Sequence, residues 1–157
     1  MITVPCNRRT ILGAASALAI PSLLVPRQSL AQCVRTAEEG RWRNLTGDGS
    51  PVLIDLRRVN CPDQGEEAEM HYKMRVWVRQ SPGKLYGRPS VKAQYRSSEG
   101  ARWLFGRVPT GGYVDNIWVR ARKKDGRDAL YVFIKHESLD SKPSATSKHW
   151  FKFDEAI

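Results

Sequence analysis

The chain has 157 residues, with 26 Lys and Arg against 16 Asp and Glu, and a formal net charge of +10. That length suits one domain, and 41% apolar residues suffice for a packed core, which excludes the disordered and fibrous classes. The positive balance favours polyanions or acidic surfaces as partners, although charge alone names none.

Residues 1–31 read as a targeting segment. Arg8, Arg9 and Arg27 are the charged residues there, which leaves about +7 of the total for the rest of the chain. Asn7-Arg8-Arg9-Thr10-Ile11-Leu12 opens an uncharged apolar run that reaches Val25. Pro21 and Pro26 argue against one uninterrupted membrane helix. Ser29-Leu30-Ala31 supplies the small residues a signal peptidase reads, so cleavage is expected after Ala31. The Arg-Arg-x-apolar-Leu pattern resembles the twin-arginine export signal of bacteria. It implies an exported domain over 32–157, a periplasmic or extracellular destination, and the export machinery and signal peptidase as transient partners. Gln32 before Cys33 departs from the small residue that precedes a lipid-modified Cys.

Cys6 leaves with that segment. Cys33 and Cys61 remain, and an even pair in an exported domain predicts one disulfide. A closed loop of about 28 residues would contribute on the order of 3 kcal/mol through the unfolded state. His71, His136 and His149 are scattered, so no metal site and no cofactor are expected.

Gly40–Leu45 predicts a first strand, followed by the turn 46–51. Val52 to Asn60 alternates as a second strand. Residues 61–69 are acidic and turn-rich, a solvated loop. Met70 to Arg79 is the clearest element, with Met70, Tyr72, Met74, Val76 and Val78 on one side. His71, Lys73, Arg75, Trp77 and Arg79 fall on the other. A helix cannot use that period of two, and a half-buried antiparallel strand requires it. Residues 81–84 turn, and 85–89 continue as irregular chain. Strands follow over 91–95, 102–108, 113–122 and 129–135, the last two joined by the hairpin signal Lys123-Lys124-Asp125-Gly126. Glu137 to Lys148 reads as a polar loop, and 149–153 as a closing strand. Eight short strands without a helix after residue 31 predict an all-β fold, an antiparallel eight-stranded meander barrel or a sandwich.

Gly40-x-Trp42 on the first strand, then a meander, then a basic last strand, is similar to the calycin group, the lipocalins and avidins. The resemblance implies a Gly-x-Trp that closes the barrel floor. It also implies Lys148 or Lys152 packed over the Trp42 ring as a cation. The polar set with which avidins hold biotin is missing, so biotin is not implied.

No motif assembles a reaction: there is no Gly-x-Ser-x-Gly elbow, and Asp115 reads as a lone carboxylate. His71 reads as solvated. Two surfaces stand out instead. The interior face of Tyr72, Met74, Val76, Ile117, Val119 and Val132 is either filled or holds one small apolar ligand. The opposite face gathers Arg75, Trp77 and Arg79 with Trp118, Arg120 and Arg122. Arginines among aromatic rings suit an envelope polyanion, a protein or a second copy, and export makes nucleic acid a poor candidate. The expectation is an exported binding protein that does no catalysis. The alternative is a secreted hydrolase using loop carboxylates such as Glu66 and Glu67.

Overall fold

A central strand whose side chains alternate between apolar and polar can bury one face only if its neighbours do the same. In the structure, a computed structural model that describes residues 35–47, 50–60, 70–81, 83–140 and 143–157, they do. The strands among the described residues are β1 (Gly40–Asn44), β2 (Leu53–Arg58), β3 (His71–Ser81), β4 (Lys84–Gly87), β5 (Val91–Ser98), β6 (Ala101–Pro109), β7 (Tyr113–Lys124), β8 (Arg127–Ser138) and β9 (Ala145–Glu155). All pairings are antiparallel. β2–β3, β3–β5 and then each successive strand to β9 pair in order, and β9 pairs β1, which in turn pairs β2. Eight strands therefore close into a barrel, and the short β4 is an extra strand on β3.

Turn chemistry sets the register. Glu99-Gly100 and Asp125-Gly126 have positive φ at both positions, the geometry of two-residue type I′ hairpins. They join Ser98 to Ala101 and Lys124 to Arg127 without slack. The inward residues form one core: Ile54, Leu56, Tyr72, Met74, Leu104, Leu130, Val132 and Phe151 are fully buried.

Three expectations change. Residues 84–87, expected to be irregular, form β4, which lies against β3 because Gly87 leaves room for the Trp77 ring; a Cβ there would stand 2.9 Å from Cζ3. The strand expected over 149–153 is β9, beginning at Ala145, and β8 runs on to Ser138, so half of the expected polar loop is sheet. His71, expected to be solvated, is half-buried, and its Nδ1 lacks a partner among the described residues.

The two ends of the barrel differ. Residues 35–39 cross one end. There Glu38 accepts from Trp42 Nε1 through its carbonyl, at 2.8 Å, and from the Tyr95 hydroxyl through its carboxylate, at 2.9 Å. Burial, with the neighbouring Tyr72 and Glu38, pushes the Tyr95 phenol far above its usual range. At the other end the apolar residues give way to Asp115, His136, Ser147 and His149, around an open cavity of about 510 Å³, and Asn44 lies beside His149.

Candidate functional site: an outer aromatic face and an open barrel end

Trp42 of β1 is in the core, 2% exposed. Gly40 takes φ +132°, and a Cβ on it would stand 2.5 Å from Phe153 Cε2. The cation over Trp42 does not follow. Alternation places Lys148 and Lys152 on the side of β9 opposite to Phe151, so they face outward, and both are exposed. The ring that meets Trp42 is Phe153, edge-on at 5.4 Å, and Arg35 lies over Phe153 at 4.8 Å.

The six interior candidates divide. Tyr72, Met74, Val119 and Val132 belong to the fully buried core, which side chains fill. Val76 and Ile117 share that core and also line the open-end cavity.

The outer candidates also divide, because three strand pairings separate β3 from β7. On β3, Arg75, Trp77 and Arg79 point outward, Arg79 exposed. Trp77 donates to Asp55 Oδ2 at 2.8 Å, and Arg41 and Arg75 lie 5.7 and 5.8 Å from its ring. Asp55 also holds Arg41 through two hydrogen bonds of 2.7 and 3.0 Å. Trp77 and Asp55 are thus held by internal contacts, whereas Arg75 and Arg79 stay exposed.

The second outer patch is wider. Phe105, Trp118 and Phe133 form a row across β6, β7 and β8, with ring centroids 4.9 and 5.5 Å apart. Trp103, Tyr131 and Trp150 form a second row, with centroids 5.9 and 4.8 Å apart. Cross-strand register makes these rows: Phe105 faces Trp118, Trp118 faces Phe133, and Tyr131 faces Trp150. Cations edge them, Arg96 over Phe105 at 4.3 Å, Arg122 over Tyr131 at 5.8 Å and Lys124 over Trp150 at 5.4 Å. Arg120 stands opposite Tyr131 in register. A groove of about 360 Å³ lies there, lined in part by Trp103, Trp118, Arg122, Tyr131, Phe133 and Lys148. Phe133 and Tyr131 of β8 thus join Trp118 and Arg122, and the β3 set stays apart.

The open end holds groups that sequence reading left scattered. Asp115 is not a lone carboxylate: it accepts from Arg88 Nη1 at 2.9 Å and lies 2.6 Å from His136 Nδ1. Ser147 Oγ is 3.4 Å from His136 Nε2 and 3.0 Å from His149 Nε2. Asn44 Nδ2 is 3.4 Å from His149 Nδ1. One signal for two members of this cluster existed. The two-residue Asp125-Gly126 turn pairs Lys124 with Arg127, and nine residues back along each strand stand Asp115 and His136, which are register partners. Ser147 had no such signal, since it lies in the stretch read as a loop.

Cysteines 33 and 61 and the arginines 8 and 9 lie outside the described residues. Among the described residues no group of three or more His, Cys, Asp or Glu is arranged to hold a metal, and no helix is long and apolar enough to cross a membrane. No protein-family model, curated protein or solved structure matches this chain.

Proposed function

We propose that this chain is an exported binding protein of calycin-like type whose outer aromatic face holds an acidic polysaccharide. One observation carries the reading: two rows of rings flank a groove whose charged lining is Arg122 and Lys148 against the single carboxylate of Glu99. Sugar rings stack on aromatic faces, and guanidinium groups pair bidentately with carboxylate or sulfate. The net charge of about +7 outside residues 1–31 favours anionic polymers as partners. Strands rather than loops carry the rings, so they are already ordered, and little conformational entropy opposes binding.

The test is retention on immobilised heparin as a model acidic polysaccharide. Trp118→Ser and Arg122→Gln should each elute at lower salt than the native chain. Equal elution of all three would sink the reading.

Export through the twin-arginine route is part of the same proposal. It rests on Arg8-Arg9, the apolar run and Ser29-Leu30-Ala31. Intact mass of the protein recovered from its own cell should begin at Gln32, and a membrane-bound species retaining Met1 would refute it. The Cys33–Cys61 bridge follows from export. Alkylation without reductant should label neither cysteine, and labelling of both would mean free thiols.

A further inference from the structure

The hydrogen-bond chain at the open end has a direction, fixed from both of its ends. Asn44 Oδ1 accepts from Thr46 N at 3.1 Å and from Thr46 Oγ1 at 2.8 Å, so its amide orientation is set. Nδ2 then donates to Pro51 O at 2.9 Å, and its second proton faces His149 Nδ1. His149 Nδ1 is therefore an acceptor, and the ring proton sits on Nε2, which donates to Ser147 Oγ. At the far end the carboxylate of Asp115, engaged by Arg88, can only accept. His136 carries its proton on Nδ1 toward Asp115, which leaves Nε2 as the acceptor for the Ser147 hydroxyl. The 3.4 Å separation is at the long end for a hydrogen bond, as nucleophile and base often are before substrate binds.

We propose that Ser147 is an activated nucleophile for acyl transfer from small carboxylic esters, with His136 as its general base and Asp115 as the residue that positions His136. The relations are those of a serine, histidine and aspartate relay, built here on β7, β8 and β9 of one sheet. Ser147 Oγ attacks the ester carbonyl and forms a C–O bond while its proton passes to His136 Nε2. The tetrahedral intermediate collapses by breaking the bond to the alcohol, which leaves with that proton. Water then attacks the acyl-serine, again with His136 taking and returning a proton, and releases the acid. His149 Nε2–H, 3.0 Å from Oγ, is a donor beside the attacking oxygen that can turn to the developing oxyanion. Burial, with the nearby His136, pulls the His149 pKa below its ordinary value, so the ring stays neutral and its single Nε2 proton stays in place. The cavity beside the serine, about 510 Å³, has Val76, Val78, Ile117 and Ile134 among its walls, which suits a short apolar acyl chain.

This site is separate from the outer groove, and its test does not involve a polysaccharide. The full chain is treated with a fluorophosphonate and the adduct is mapped by peptide mass. The expected adduct is on Ser147. The rate should fall on the order of 10²–10⁴-fold in His136→Gln, the usual worth of a positioned base. p-Nitrophenyl acetate hydrolysis should vanish in Ser147→Ala. Asp115→Asn should lower the labelling rate, and Asp115→Glu, which keeps a carboxylate facing His136, should restore part of it, whereas a merely structural role would give no such rescue. No adduct on Ser147 of the native chain overturns the proposal, whether or not the alanine variant folds. So does ester hydrolysis that persists in a folded Ser147→Ala chain.

Discussion

Trp77 Nε1 donates to Asp55 Oδ2 at 2.8 Å across the β2–β3 pair, and the same carboxylate holds Arg41 of β1. One side chain, 9% exposed, thus ties three adjacent strands on the outer face. Its charge is matched by Arg41, whose guanidinium is held in its charged form, chiefly by the hydrogen bond to Asp55. Asp55→Ala removes the acceptor for both donors. It is expected to cost about 1.5–3 kcal/mol, the range for hydrogen bonds to a charged group. Urea unfolding of the two chains measures this, and an unchanged midpoint would show that Arg41 and Trp77 hold these strands without it.

Gly40 gives a second stability prediction. Its φ of +132° suits glycine, and a Cβ would collide with Phe153 and approach the Arg35 guanidinium at 2.7 Å. Gly40→Ala therefore combines backbone strain with a clash beneath Trp42. Strain of this type costs about 1–3 kcal/mol. A thermal midpoint equal to that of the native chain would show that the strand end relaxes freely.

These two residues mark what the sequence made legible and what it hid. β3 was plain because a strand with one wet and one dry face must alternate, and His71 to Arg79 does so. β4 was hidden because four residues carry too little pattern, and its pairing depends on Gly87 meeting the Trp77 ring. The start of β9 was hidden for a different reason. Ala145, Thr146, Ser147 and Lys148 look like loop because the inward positions near the open end need not be apolar, so alternation carries no contrast there. Asp115 and His136 were recoverable from hairpin register alone. Ser147 was not, since its place follows from the β8–β9 pairing, whose connection is longer than a two-residue turn.

His149 predicts a pH dependence. Burial and the neighbouring His136 depress its pKa in the folded chain below the ordinary 6.5. The unfolded chain then binds the proton more readily than the folded one. Stability from this group is complete above the unfolded value, declines as pH falls below about 6.5, and is fully lost below the depressed folded value. Urea midpoints between pH 8 and 5 should fall on the acid side, and His149→Asn should flatten that slope. A slope unchanged by the substitution would place its origin elsewhere.

The last prediction separates the two outer tryptophans, which alternation alone treats as equivalent. Both face away from the core, yet their surroundings differ. Trp77 is fixed by Asp55 and backed by Gly87, whose missing Cβ its ring occupies. Trp77→Ser leaves a buried carboxylate without one donor and opens a gap over β4. It is expected to cost about 2–3 kcal/mol, short of the ~3–5 kcal/mol of a fully buried aromatic, since this ring is half-exposed. It should leave heparin retention nearly unchanged. Trp118 lies between Phe105 and Phe133 and faces the groove. Its two ring contacts are worth about 0.5–1.5 kcal/mol each, so Trp118→Ser should remain cooperatively folded. Retention, by contrast, should drop, because the middle ring of the row is gone. Measuring urea midpoint and salt of elution on both variants gives four numbers with opposite expected patterns. If Trp77→Ser instead lowers retention and Trp118→Ser does not, the polyanion surface lies on β3 and the ring rows serve only to pack the sheet.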